Sequence, residues 1–334
     1  MQIHVPIPRE GVFPVPGSWE DANEIIKAQL PAVTELAGKA YVHDNDQAWA
    51  AIQQLLYHWN LDELERKSPV TDYGRAVRQA LRNRILEVEA RVRKQHTRLQ
   101  CWDDFTPERA IEELHAAATT HRIHDHPLLA ALGNSPLSKD SVRLFLENYY
   151  VNNRVFHLHI AAQSLSAPLE LRGEMYKNLY DELGEGDLEA AHPVLFLRNF
   201  RSLGVPEVIA PLTGSLYLLN TKIFHTFLSG NMLQGVGGLG FLELAMPGQM
   251  EKIFEGLKES GLPREDLVFW ELHISLDQEH GEAWFDEMRQ VIRTREDAQA
   301  ILEGGLGLLE ARAVFYDDVW NAIPESAEFN MKRA

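Results

Sequence analysis

From about residue 20 onward, apolar residues recur every three or four positions, which is the period of a helix with one buried face. Segments 20–37, 46–58, 72–97 and 107–121 carry this pattern, with Ala, Leu, Glu, Arg and Gln filling the positions between. A second set follows Asp125-His126-Pro127, near 139–165, 168–183, 192–203, 206–228, 232–245, 248–260, 264–291 and 296–321, joined by short Gly, Pro or Asn punctuation. No stretch alternates in the manner of a strand, so the pattern predicts an all-α chain. The first twenty residues, with Pro6, Pro8, Gly11, Pro14, Pro16 and Gly17, read as an extended arm. Thr106-Pro107 supplies an N-cap followed by Pro at the first helical position. We therefore place a boundary near 105, with an arm and helical extension over 1–105 and the main domain over 106–334.

Composition narrows the classes. A chain of 334 residues with 45% hydrophobic and 24% charged residues describes a soluble globular protein able to bury a large core. Its formal charge of −17 repels phosphate backbones and anionic lipid, so nucleic acid and membrane are not expected partners. Cys101 is the only cysteine, which excludes an intrachain disulfide framework and a multi-cysteine metal site. No stretch of about 18 apolar residues occurs, and a reducing cytoplasm is the expected location.

Candidate chemistry begins at His273, Asp277 and His280. Offsets of four and seven residues place the three on one helical face. Such a stripe is either a solvated surface or a metal-binding edge. Val268, Phe269, Trp270, Leu272, Ile274 and Leu276 surround it with apolar positions, and buried imidazole and carboxylate groups need partners. Mixed N/O ligation suits iron, manganese or zinc, and with open positions is typical of non-haem iron. Glu182 and His192 stand ten residues apart, about 80° on an unbroken helix. Gly184 and Gly186 between them open a loop that can turn His192 back. Glu243 lies in the apolar run Leu239–Pro247, where a lone carboxylate calls for pairing or ligation. Glu147, in Leu146-Glu147-Asn148-Tyr149-Tyr150, reads equally as a surface residue or a functional one. Three carboxylates over-neutralise one divalent ion and suit two, with an anion meeting the remainder.

Taken together, the His126-Pro127 entry, Glu147-Asn148-Tyr149-Tyr150, Asp181-Glu182 through Gly184 to His192, Glu243 before Pro247, and His273, Asp277 and His280 resemble the haem-oxygenase-like dimetal (diiron) oxidases. These are related in fold to thiaminase-II and pyrroloquinoline-quinone-synthase proteins. The resemblance covers roughly 110–330 and implies a haem-oxygenase-like bundle of about seven core helices. It implies that Glu182, His192, Glu243, His273, Asp277 and His280 hold two Fe(II) ions, with manganese as the substitute metal and O2 as co-substrate. It further implies a small amine- or amino-acid-derived substrate, N-oxygenated or cleaved at a C–C bond, with room for an external electron donor and a homodimer. Some N-oxygenating members carry an additional carboxylate on the first core helix, where Glu147 is the available residue. Arg154, seven residues after Glu147 and on its face, is the candidate clamp for a substrate carboxylate, or else a surface or ion-pair group.

Other readings stand beside this one. A metal-free enzyme of the thiaminase-II type, or a non-catalytic iron-binding or interaction protein, can share the fold; Cys101 does not match the hydrolase nucleophile. Gly235-Val236-Gly237-Gly238-Leu239-Gly240 satisfies a dinucleotide-loop pattern, but no strand precedes it, so close helix packing is the better account. Glu112-x-x-His115 imitates a ferritin-like ligand pair within a charged segment.

Overall fold

The computed structural model describes residues 15–65, 71–93, 98–133 and 136–326. These are helical, and no β-strand occurs among them. They fall into two compact units, divided between Arg93 and Arg98. The extended arm expected over the first residues lies mostly outside the described ones.

The N-terminal unit holds α1 (Trp19–Ala37), α2 (Asp46–Glu65) and α3 (Asp72–Arg93). Ser18 caps α1 by accepting from the Asp21 amide. Ala37, Ile52, Leu56, Trp59, Leu81 and Ile85 close the core. Arg82 is buried there because Asn60 and Glu63 each accept from its guanidinium at 2.9 Å. None of the sequence motifs with chemistry lies in this unit.

The C-terminal unit contains α4 (Pro107–Thr119), α5 (Pro127–Leu132), α6 (Lys139–Asn153), α7 (Phe156–Ser166), α8 (Leu169–Glu182), α9 (His192–Phe196), α10 (Thr213–Ile223), α11 (Met232–Ala245), α12 (Pro247–Glu259), α13 (Val268–Val291) and α14 (Arg295–Ala322). Thr106 caps α4 as its sequence predicts. The expected helix over 139–165 is two, broken at Arg154 and Val155, where Val155 leaves helical geometry with ψ 10°. The one expected from 206 starts at Thr213: Pro206 and Pro211 keep the preceding stretch extended, since a residue before proline avoids the helical region. It ends in a π-helical turn over Phe224–Leu228.

The centre of this unit is the packing of α11 along α14, with α13 crossing α11, α12 and α8. The glycines of the Gly235–Gly240 run make it possible. A Cβ on Gly237 would meet the Ile301 carbonyl oxygen at 2.0 Å, and one on Gly304 would meet that of Gln234 at 1.9 Å. Backbones this close leave no room for side chains, which is the packing role that the sequence suggests for the run. No helix among the described residues is long and apolar enough to cross a membrane.

Candidate metal centre

Three helices bring the first donors, all buried, together. α8 ends at Glu182, and Gly184, Glu185 and Gly186, all at positive φ, turn the chain sharply after it. Gly184 packs so tightly on this turn that a Cβ would meet the Ala190 carbonyl carbon at 2.6 Å. The turn delivers His192 to the first position of α9, with its Nδ1 3.0 Å from Glu182 Oε1. His273 of α13 approaches the same oxygen, its Nε2 at 3.7 Å. One ligand atom from each of Glu182, His192 and His273 lies within 4.8 Å of the others.

The remaining donors border this trio. Asp277 stands one turn beyond His273 and is 4% exposed, as are Glu182, Glu243 and His280. Glu243 of α11 accepts from Asn178 Nδ2 at 3.2 Å. His280 is held at both nitrogens, Nδ1 by Glu174 at 2.6 Å and Nε2 by Asp181 at 3.1 Å. A cavity of about 40 Å³ opens onto Glu182, Glu243, His273 and Asp277, on a scale where a water needs roughly 10–15 Å³. His192 and His280 flank it without forming its wall.

Electrostatics show how crowded these charges are. Burial alone would raise the Glu182 carboxyl, but the His192 and His273 imidazoles override it and hold the carboxyl well below its ordinary value. Burial raises the Asp277 carboxyl well above its ordinary range; Glu243 and Glu182 add to this against the pull of His273. Glu243 is likewise raised by burial, with Glu182 adding to it and His280 opposing.

The donor set fits a metal. Glu182 Oε2 is buried with no hydrogen-bond partner among the described residues, and His192 Nδ1 meets Glu182 Oε1 only as a close, poorly aligned contact, an arrangement that a cation would relieve. His273 Nδ1 donates to the Phe269 carbonyl at 2.7 Å, which fixes the tautomer and leaves Nε2 directed at Glu182 with a lone pair for an ion.

Glu147 and Arg154 stand apart from this centre. The face of α6 that lines the cavity is Tyr149, Asn152 and Asn153, continued by Phe156. Glu147 is two residues before Tyr149, about 200° around the helix, and Arg154 is the C-cap at which α6 ends, outside the cavity wall. Glu147 lies 3.9 Å from Arg143. The cations in the cavity wall are instead Arg312 of α14 and Lys222 of α10. Burial pushes the Lys222 amine down to about 7, with Arg312 adding to the effect. Arg312 has no signature in its local sequence. Glu174 also escaped sequence reasoning, and Asp181 entered it only as the neighbour of Glu182, although Glu174, Asn178 and Asp181 share the face of α8 that ends at Glu182. Glu112 is exposed and His115 pairs with Glu282 at 3.8 Å, so this couple does not join the centre.

The sequence model of the iron-containing redox enzymes matches residues 143–313. The chain belongs to that family. A 4-chloro-allylglycine synthase from Streptantibioticus cattleyicolor is 27% identical over 210 residues, which are 60% of this chain and 79% of that protein. Two crystal structures share the fold. One is a domain with a heme oxygenase-like fold from Shewanella denitrificans (TM-score 0.50, 17% identity, 68% of this chain and 93% of the other). The second is a CADD-like protein from Nostoc punctiforme (TM-score 0.53, 17% identity, 65% of this chain and 98% of the other). The iron-containing redox enzyme described here is thus all-α and haem-oxygenase-like, as its motifs imply, and about a third of it has no counterpart in either structure.

Proposed function

We propose that this chain is a non-haem diiron oxidase that uses O2 to cleave a C–C bond of a small amino-acid-derived metabolite. The observation that carries the reading is the buried Glu182–His192–His273 trio with its unpartnered Glu182 Oε2, bordered by Glu243 and Asp277 in one cavity. His280 would complete the donor set through Nε2, in place of its contact with Asp181. Iron held by these residues would supply the electrons for O2 reduction, chemistry that no side chain here performs. The protein's own part is to gather three carboxylates for charge balance and to fix the imidazole tautomers through Phe269 and Glu174. Leu242, Met246, Phe269 and Phe315 keep the cavity apolar and limit water. The 4-chloro-allylglycine synthase relative supports an amino-acid substrate. Cleavage is favoured over N-oxygenation because α6 presents Tyr149, Asn152 and Asn153 to the cavity and no further carboxylate.

The test is anaerobic addition of Fe(II), followed by O2 with a panel of amino acids while oxygen uptake and visible absorption are recorded. We expect about two irons per chain and amino-acid-dependent uptake. Absence of stoichiometric iron together with absence of uptake overturns the reading. His273→Ala and Asp277→Ala should each abolish iron retention; either variant keeping two irons and full uptake would also sink it.

A further inference from the structure

The cavity holds two buried basic groups that carboxylates reach only at a distance, Asp277 acting on Arg312 and Glu182 and Glu243 on Lys222. Arg312 and Lys222 are each 3% exposed, and both line the cavity. Among the described residues neither forms an ion pair. The Arg312 guanidinium is fixed by hydroxyl groups: Nε donates to Tyr316 at 3.1 Å and Nη2 to Tyr149 at 2.8 Å, with the two rings 5.2 and 5.0 Å from its centre. Tyr316 in turn donates to Gln249 at 3.0 Å. This network uses one edge of the fork and leaves Nη1 without a partner among the described residues. Lys222 Nζ sits 5.3 Å over the Phe156 ring and has no hydrogen bond there either. An unpaired buried charge is strongly unfavourable, and guanidinium is built for bidentate carboxylate recognition. Leu218, Leu242, Met246 and Met250 continue the same wall as an apolar surface.

We propose that Arg312 and Lys222 form a clamp for the carboxylate of a short aliphatic acid, with the Tyr149 hydroxyl as a further donor and the four aliphatic residues taking the chain. This assigns to Arg312 the carboxylate contact, and it deepens the reading of the cavity as a substrate site. The clamp also answers a charge requirement. Counted as formal charges with Lys222 protonated, Glu182, Glu243 and Asp277 outnumber the two cations only until a divalent ion enters; the balance then turns positive and calls for an anion.

The experiment is calorimetric titration of the full-length chain under anaerobic conditions, both metal-free and after Fe(II) addition, with L-norleucine, hexanoate, L-norleucinamide and hexylamine as probes. Wild type should bind the two carboxylates and bind the amide and the amine at least about tenfold more weakly. Arg312→Met and Lys222→Met should each weaken norleucine binding by about tenfold or more while taking up iron as wild type does; Lys222→Met carries the test should Arg312→Met fail to fold. Norleucinamide binding as tightly as norleucine overturns the clamp, as does full norleucine affinity in both variants or the absence of carboxylate-dependent binding to wild type. Iron uptake, read separately in the same preparations, reports on the oxidase reading whichever way the clamp falls.

Discussion

His280 Nδ1 donates to Glu174 across 2.6 Å, and that contact makes Nε2, 3.1 Å from Asp181, the edge that an ion would take. Residues that orient a ligand imidazole typically contribute 10–100-fold to metal affinity. Glu174→Gln is therefore expected to weaken iron binding by about that factor with the fold intact. Chelator competition checks this, and wild-type affinity would remove Glu174 from the role. Lys222 gives a prediction in pH. Its amine is held near 7 in the fold against 10.5 when exposed. Below 7 it is charged in both folded and unfolded chains, and the whole penalty of burial stands; above 10.5 it is neutral in both and the penalty is gone. Lys222→Met should stabilise the metal-free protein on the order of a few kcal/mol at pH 6, the gain shrinking as pH rises from 7 to 10.5. An equal gain in melting temperature at pH 6 and pH 10 would contradict the burial of a charged amine. The positions of the donors were legible at this scale because polar residues at offsets of four and seven inside apolar runs have few other uses. Arg312 was not, since Glu310-Ala311-Arg312 on a helix looks like any solvated stretch. Glu147 and Arg154 show the complementary limit: spacing says that two residues share a face, while packing decides which face turns inward.

Periodicity located the helices better than it located their ends. Ends marked by a cap or a proline, such as Thr106-Pro107, were readable, and the break at Arg154–Val155 was not, because neither residue is a helix breaker. Its effect is to free α7 from the axis of α6 and carry Phe156 into the cavity wall. The contact of α11 with α14 makes a strong demand on side-chain volume. An exposed Gly→Ala change inside a helix gains roughly 1 kcal/mol from propensity. At Gly304 the added carbon meets main chain, which cannot turn aside as a side chain can. Gly304→Ala should thus destabilise by about 3 kcal/mol or more, seen as a lower urea midpoint, whereas Gly173→Ala on α8, where nothing lies within 4 Å, should be neutral or stabilising. A Gly304→Ala protein as stable as wild type would mean that the two helices do not pack this closely.

The division of the molecule bears on what is needed for the site. Every proposed ligand and both clamp residues belong to the unit that follows Arg98. A chain beginning at Arg98 is expected to keep its helical content and its iron stoichiometry, measured by circular dichroism and metal analysis. Loss of iron from a folded truncation would assign the first unit a part in the centre. The donors themselves are scattered from Glu182 to His280 over α8, α9, α11 and α13, and no short stretch of the unfolded chain can gather them. Iron bound as proposed therefore favours the native state alone, by mass action: free iron at a hundredfold over its dissociation constant adds about 2.7 kcal/mol. The metal-free protein must meanwhile keep Glu182, Glu243 and Asp277 crowded together, with imidazoles beside Glu182 and the Asn178 amide on Glu243 as partial relief. Iron supply then governs more than turnover, because a cell short of iron would hold a larger open fraction of this polypeptide, and proteases would clear it before it ever met a substrate.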